Sequence, residues 1–174
     1  MQRGVYIMVF SSLIFLFLFL VLNLTIYLFV KDKYKNIVLL VFSLIFYAWG
    51  GPKYLLLLVG ETFASWFFAL RIEKSENDRG RKLYMAGECV VLLGLLGYFK
   101  YAVFFLENFQ MLFGVPEVIP NIVLPIGISF YTFQLLSYVV DVYRGEIHAQ
   151  PAFWKLLLYS SLFHQCIAGP IVRY

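Results

Sequence analysis

LPIGISFYTFQLLSYVVDVYRG, residues 124–145, is the one apolar stretch of this chain that opens on Pro and Gly and then carries polar side chains along one edge. Wound as a helix, it places Gly127, Tyr131, Gln134, Tyr138 and Asp141 at alternating steps of four and three, which puts them in one stripe. Ile128, Phe130, Phe133, Leu135, Val139 and Val140 fill most of the remaining surface. Hydrocarbon offers an amide, a phenol or a carboxylate no hydrogen-bond partner, so the stripe must face protein or water. This helix needs neighbours.

The rest of the chain reads as those neighbours. Of its 174 residues 62% are hydrophobic and 14% charged, with a mean hydropathy of +0.82; ordinary soluble domains are about 45–50% apolar and about 25% charged. The 19 Phe, 13 Tyr and 3 Trp exceed what a water-soluble core requires. These values predict an all-α integral membrane protein, one membrane domain over residues 1–174 with about six transmembrane or partly re-entrant helices. A net charge of +4 does not indicate nucleic acid, because the basic residues punctuate apolar runs. The expected partner is the lipid bilayer. Cys89 and Cys166 both lie inside apolar runs, and no CxxC or His-x-x-x-His spacing occurs, so neither a disulfide framework nor a metal site is expected.

In order, residues 9–30 form a first span too long for a signal-peptide core. Residues 31–35 are a loop, and residues 37–49 are short for a full crossing before Gly50-Gly51-Pro52. Residues 54–70 and 83–106 are the next spans, separated by the polar segment 71–82 (RIEKSENDRGRK), read as an exposed loop. A loop over 107–121 leads to the striped helix, which is expected to end near Asp141. After a loop over 142–152, a last helix over 153–168 runs into Gly169-Pro170-Ile171-Val172-Arg173-Tyr174. If each run crosses, the loops at 31–36, 71–82 and 142–152 share a side and hold nine Lys and Arg residues, against Arg3, Lys53 and Arg173 opposite. The positive-inside rule then puts those loops in the cytoplasm and the N-terminus of this multi-pass cell-membrane chain outside.

Three acids and one lysine stand inside apolar runs. Glu61 and Lys100 lie ~10 and ~9 Å from the same side at 1.5 Å per residue, so an intramembrane Glu61–Lys100 ion pair is expected. The other reading has Lys100 snorkelling outward and Glu61 bonded to Thr62 or Ser65. Glu88 is expected to meet Arg71, Arg81 or Lys82. The stripe ending at Asp141 has two readings as well. It is polar glue between helices, worth ~0.6 kcal/mol per contact, or the lining of a cavity, which the Pro125–Gly127 break favours. His148 is expected to be solvated, whereas His164, deep in an apolar helix, is either a packing histidine or a base. No Ser-His-Asp, Walker or metal-ligand pattern is present.

Five motifs then occur in order: Phe46-Tyr47-Ala48-Trp49-Gly50-Gly51-Pro52-Lys53-Tyr54, Gly97-Tyr98-Phe99-Lys100-Tyr101, residues 124–134 (LPIGISFYTFQ), Asp141-Val142-Tyr143-Arg144-Gly145, and residues 168–174 (AGPIVRY). Together they resemble the N-terminal part of the membrane-bound O-acyltransferase family, in particular its alginate O-acetyltransferase branch, with D-alanyl transfer proteins of teichoic acid as more distant relatives. The resemblance implies an all-helical enzyme that moves an acyl group from a cytoplasmic donor, acetyl-CoA in the acetylating branch, to an exported polysaccharide or to an extracytoplasmic partner protein that modifies one. No bound cofactor is implied. The family's catalytic histidine belongs beyond Tyr174 and His164 does not correspond to it, so this chain is expected to hold no catalytic residue and to be inactive alone. By the same resemblance Asp141 and Arg144 pair at the cytoplasmic mouth, while Tyr131, Gln134 and Tyr138 line the path. Gly169-Pro170 turns the chain at membrane depth, and Arg173 meets carbonyls or an acid. A transporter would instead show inverted repeats, which are not found, and a non-catalytic scaffold would not need the polar stripe.

Overall fold

A computed structural model of the chain describes residues 15–113, 124–125, 127–163 and 174. Among these residues every regular element is a helix. A π-helical turn, Phe15–Leu20, feeds α1 (Val21–Phe29), and α2 (Asp32–Gly50), α3 (Pro52–Lys74), α4 (Asp78–Phe113), α5 (Ile128–Arg144) and α6 (Phe153–Ser161) follow. Local chemistry sets the breaks. Pro52 stands at the first position of α3, where its missing N–H costs nothing. Asn77 Oδ1 accepts the Arg79 N–H at 3.0 Å and caps the start of α4.

Two expected loops are largely helical. Asp32 opens α2 and pairs with Lys35 at 2.6 Å, so an acid sits at the positive end of the helix dipole and residues 32–36 join the helix. The hydrogen bond from Lys35 holds the Asp32 carboxyl below its ordinary range. With 19 residues α2 is about 28 Å long, which removes the shortfall read from its apolar part alone. The polar segment 71–82 contributes the last turn of α3 and the first of α4, and only residues 75–77 are non-helical. Likewise α4 continues through residues expected to form a loop; its 36 residues reach about 54 Å, well beyond a hydrocarbon layer of about 30 Å. The last helix stops at Ser161, short of the expected 168.

The distribution of side chains is that of a protein dissolved in lipid. Phe29, Met111 and Leu112 are 87%, 88% and 79% exposed, and exposed Leu, Val and Phe run along α1 and α4. Glu61, Glu88, Gln134 and Asp141 are buried. Water would reverse that order. The chain is an all-α integral membrane protein. Among the described residues two helices, α3 and α4, are long and apolar enough to cross a bilayer.

α3 is the centre, packing on α2, α4, α5 and α6. Phe15, Phe19, Phe42, Phe46 and Phe163 form a knot of rings with centroids 5.4–6.1 Å apart, tying the first turn to α2 and to the segment after α6. At one end of the bundle Arg81 Nη2 donates to the Tyr143 carbonyl at 2.6 Å and His148 Nδ1 lies 2.8 Å from Glu73 Oε1. The segments 71–82 and 142–152 therefore meet at the same end.

Candidate functional site

α5 is held at both ends by glycines in the left-handed region. Gly127, at φ +76°, precedes the helix, and its carbonyl accepts the Phe130 and Tyr131 N–H groups at 2.9 and 3.1 Å. It is thus the cap of the stripe rather than a member of it. Gly145, at φ +78°, donates to Val142 O while Glu146 N donates to Asp141 O, both at 3.0 Å, closing a Schellman motif. A side chain would strain either position. The helix ends at Arg144, one turn later than expected, and Arg81 both bonds the Tyr143 carbonyl and stacks on the Tyr143 ring at 5.6 Å. A cation at the carbonyl-rich end of a helix is favourable.

Tyr131, Gln134, Tyr138 and Asp141 all point into the protein and are buried. A second stripe, Ile128, Thr132, Leu135, Val139 and Val142, is buried beside it. Three of the apolar residues flanking the polar stripe, Ile128, Leu135 and Val139, therefore belong to the core, because α5 is wedged between α3, α4 and α6. Phe130 and Phe133 remain on the outside.

The polar contacts radiate from one face of α3. Thr132 Oγ1 on α5 donates to Glu61 Oε2 at 2.8 Å. Thr62 and Ser160 on α6 share a hydrogen bond at 2.8 Å. Ser65 Oγ donates to Glu88 Oε1 on α4. Glu61, Thr62 and Ser65 lie within four residues, so one helical turn of α3 binds three neighbours.

The expected Glu61–Lys100 ion pair is not formed. Glu61 turns toward α5, whereas Lys100 is exposed with its ammonium 5.4 Å from the Tyr101 ring. Equal depth on adjacent helices did not place the two on facing sides. Glu88 likewise meets Ser65 rather than Arg71, Arg81 or Lys82, since it lies on the buried side of α4 and Arg81 is taken by Tyr143. Arg144 approaches Glu146 at 3.7 Å instead of Asp141, because the helix ends beneath it and its side chain turns outward.

Around Tyr138 the geometry is fuller. Its hydroxyl accepts the Gln150 N–H at 2.8 Å, and Gln150 Nε2 donates to the Tyr174 hydroxyl at 2.6 Å. The Tyr174 ring lies 5.1 Å from Tyr138 and 5.0 Å from Tyr159, whose hydroxyl is within hydrogen-bonding reach of Ser137 and Gln134. The last residue of the AGPIVRY motif thus rests on the α5 stripe. Gly169, Pro170 and Arg173 lie outside the described residues, as do His164 and Cys166. His148 is solvated as expected, but it is tied to Glu73. Reasoning from sequence missed Thr132, Ser160 and Gln150, and offered Ser65 to Glu61 where it bonds Glu88. Thr132 and Ser160 are small hydroxyl residues in apolar helices, which no single-helix pattern pairs, and Gln150 lies in the segment before α6.

Hydroxyls, an amide and carboxyls gathered inside an apolar shell can bind and orient polar groups at membrane depth. Fold and site together define a helical membrane protein with a hydrogen-bonding interior. The chain is 41% identical over 172 residues to the Pseudomonas aeruginosa protein named "Probable alginate O-acetylase AlgI", a match covering 96% of this chain and 33% of that one. Its namesake in Azotobacter vinelandii is 40% identical over 96% of this chain and 34% of its own length. A "Peptidoglycan O-acetyltransferase" of Helicobacter pylori is 31% identical over 199 residues, 98% of this chain and 38% of that protein. The chain spans about a third of the length of the curated relatives it matches. No family model and no solved structure matches it. The chain is homologous to the alginate O-acetylases, in agreement with its motifs.

Proposed function

We propose that this chain is the N-terminal membrane portion of a polysaccharide O-acetyltransferase. The observation that carries the reading is the 41% identity to a protein named as an alginate O-acetylase, sustained over 96% of the chain. The buried polar face of α5 supports it, since an acyl group crossing a membrane needs groups that bind it out of water. In this reading acetyl-CoA is the cytoplasmic donor. Its thioester C–S bond breaks, an ester C–O bond forms on a hydroxyl, and the hydroxyl proton leaves with the thiol. The acceptor is an exported polysaccharide, reached directly or through an extracytoplasmic partner protein. Tyr131, Gln134, Tyr138 and Asp141 orient the transferred group, with Arg144 at the cytoplasmic mouth. The catalytic histidine belongs to the part of the relatives that this chain does not cover. The basic end formed by 71–82 and 142–152 faces the cytoplasm and the N-terminus lies outside.

Alginate is the acceptor named by most of these relatives, and the Helicobacter pylori relative makes peptidoglycan the second candidate. The test is transfer of labelled acetyl from acetyl-CoA by membranes containing the complete gene product, with alginate and peptidoglycan offered separately. Ester formation on one of them is expected, and none on either would overturn the reading. Within an active product, Gln134→Ala should lower transfer about tenfold at normal abundance, the loss of one hydrogen bond to the transferred group. Unchanged transfer would leave Gln134 a packing role.

A further inference from the structure

At the basic end of the bundle α3 and α4 leave a cavity of about 450 Å3 between their outer faces, lined by Trp66, Phe67, Leu70, Arg71, Lys74, Ser75 and Tyr84. That volume falls within the ~300–1,000 Å3 of small-molecule pockets. Its lining has two ends. Trp66, Phe67 and Leu70 make an aromatic and apolar wall toward the middle of the membrane. Arg71 and Lys74 form the rim, with the hydroxyl-bearing Ser75 and Tyr84 beside them.

The rim cations have no carboxylate. Among the described residues the ion pairs are Lys35–Asp32, Arg144–Glu146 and His148–Glu73, so Glu73, the acid between the two cations in sequence, is engaged with His148. Arg71 stacks on Phe67 with its carbon 5.0 Å from the ring centre, which steadies the guanidinium and leaves its donors in plane. The segment 71–82 holds five cations against three acids. We propose that this cavity is a binding site for one anionic phospholipid, its phosphate on Arg71 and Lys74 and its acyl chain along Phe67 and Trp66.

A lipid fits better than a soluble phosphate compound for two reasons. The cavity is lined by α3, by Ser75 just after it and by Tyr84 of α4, and the neighbouring surface is apolar, with Phe67 and Leu83 exposed. Its lining shares no residue with the polar contacts made by Glu61, Thr62 and Ser65, and at its apolar end the Trp66 indole N–H donates to Pro151 O at 3.3 Å and its ring packs on Phe153 at 5.9 Å. The site is independent of the acetyl-transfer reading and stands or falls separately from it.

The test uses the purified chain in detergent, titrated with dioleoyl-phosphatidylglycerol and, in parallel, dioleoyl-phosphatidylcholine, with bound lipid counted by native mass spectrometry. One phosphatidylglycerol is expected to be retained in preference to phosphatidylcholine. The pair Arg71→Gln and Lys74→Gln should weaken its binding by about tenfold or more, while Arg79→Gln with Lys82→Gln should change it less than about twofold. In a variant keeping only Trp66 (Trp49→Phe, Trp154→Phe), bromine-labelled phosphatidylglycerol should quench fluorescence more strongly than bromine-labelled phosphatidylcholine. If the Arg71/Lys74 pair does not fold, Lys74→Gln alone, at an exposed position, should still weaken binding about threefold. Equal retention of both lipids, equal loss in both variant pairs, or equal quenching by both lipids would overturn the proposal. So would displacement of bound phosphatidylglycerol by millimolar inorganic phosphate or coenzyme A, which would assign the cations to a soluble ligand.

Discussion

Glu61 is the residue on which the interior turns. It is 1% exposed, its Oε2 accepts from Thr132, and its Oε1 is buried without a partner. A charge in that position is costly, so the carboxyl persists only because α5 delivers a donor to it. Glu61→Gln should keep the Thr132 bond through its carbonyl oxygen and unfold within about 1 kcal/mol of the parent. Glu61→Ala strands the threonine hydroxyl and opens a void, and should cost about 2–3 kcal/mol. Reversible unfolding of the purified chain in mixed micelles measures both; equal stability of the two variants would remove Glu61 from this role. Its partner could not be read from the sequence. Depth in the membrane follows from counting residues, but the side of the helix that meets a neighbour depends on how the neighbour is rotated. Lys100 was at the right depth on the wrong side.

α5 shows how far local rules reach. Its polar stripe follows from spacing, and lipid cannot accept such a stripe, so the burial of Tyr131, Gln134, Tyr138 and Asp141 was legible before any coordinates. Its ends were less so. The left-handed Gly145 and the capping Arg81 carry the helix past Asp141 to Arg144. Gly145→Val should cost about 1–2 kcal/mol through its backbone conformation, and Arg81→Ala about 1–2 kcal/mol through the lost bond to Tyr143. The same unfolding assay reads both. A Gly145→Val variant as stable as the parent would mean that the Schellman closure is not formed in the membrane. The long polar segment 71–82 is a different lesson, because charged residues at a helix end remain helical while hydrogen bonds along the chain are satisfied. Polarity marked the membrane boundary there rather than the helix boundary.

Across the molecule, α3 packs on four other helices, and its turn at Glu61, Thr62 and Ser65 ties three of them to it. With the Thr62 and Ser160 hydroxyls 2.8 Å apart, a Thr62→Cys, Ser160→Cys chain should form a disulfide on mild oxidation. Retention of two free thiols would place α6 elsewhere. For the proposed orientation, cysteines at Arg79 and His148 should react with an impermeant maleimide only from the cytoplasmic side, and one at Lys53 only from outside. The reverse pattern would invert the topology. Composition, apolar run length and the spacing of polar residues were enough to establish a helical membrane chain with one hydrogen-bonding helix face, since each follows from what a single helix can satisfy in hydrocarbon. Which carboxylate meets which hydroxyl, where α5 stops, and that Tyr174 returns to lie on Tyr138 depended on the docking of separate helices, whose relative rotation no periodicity encodes.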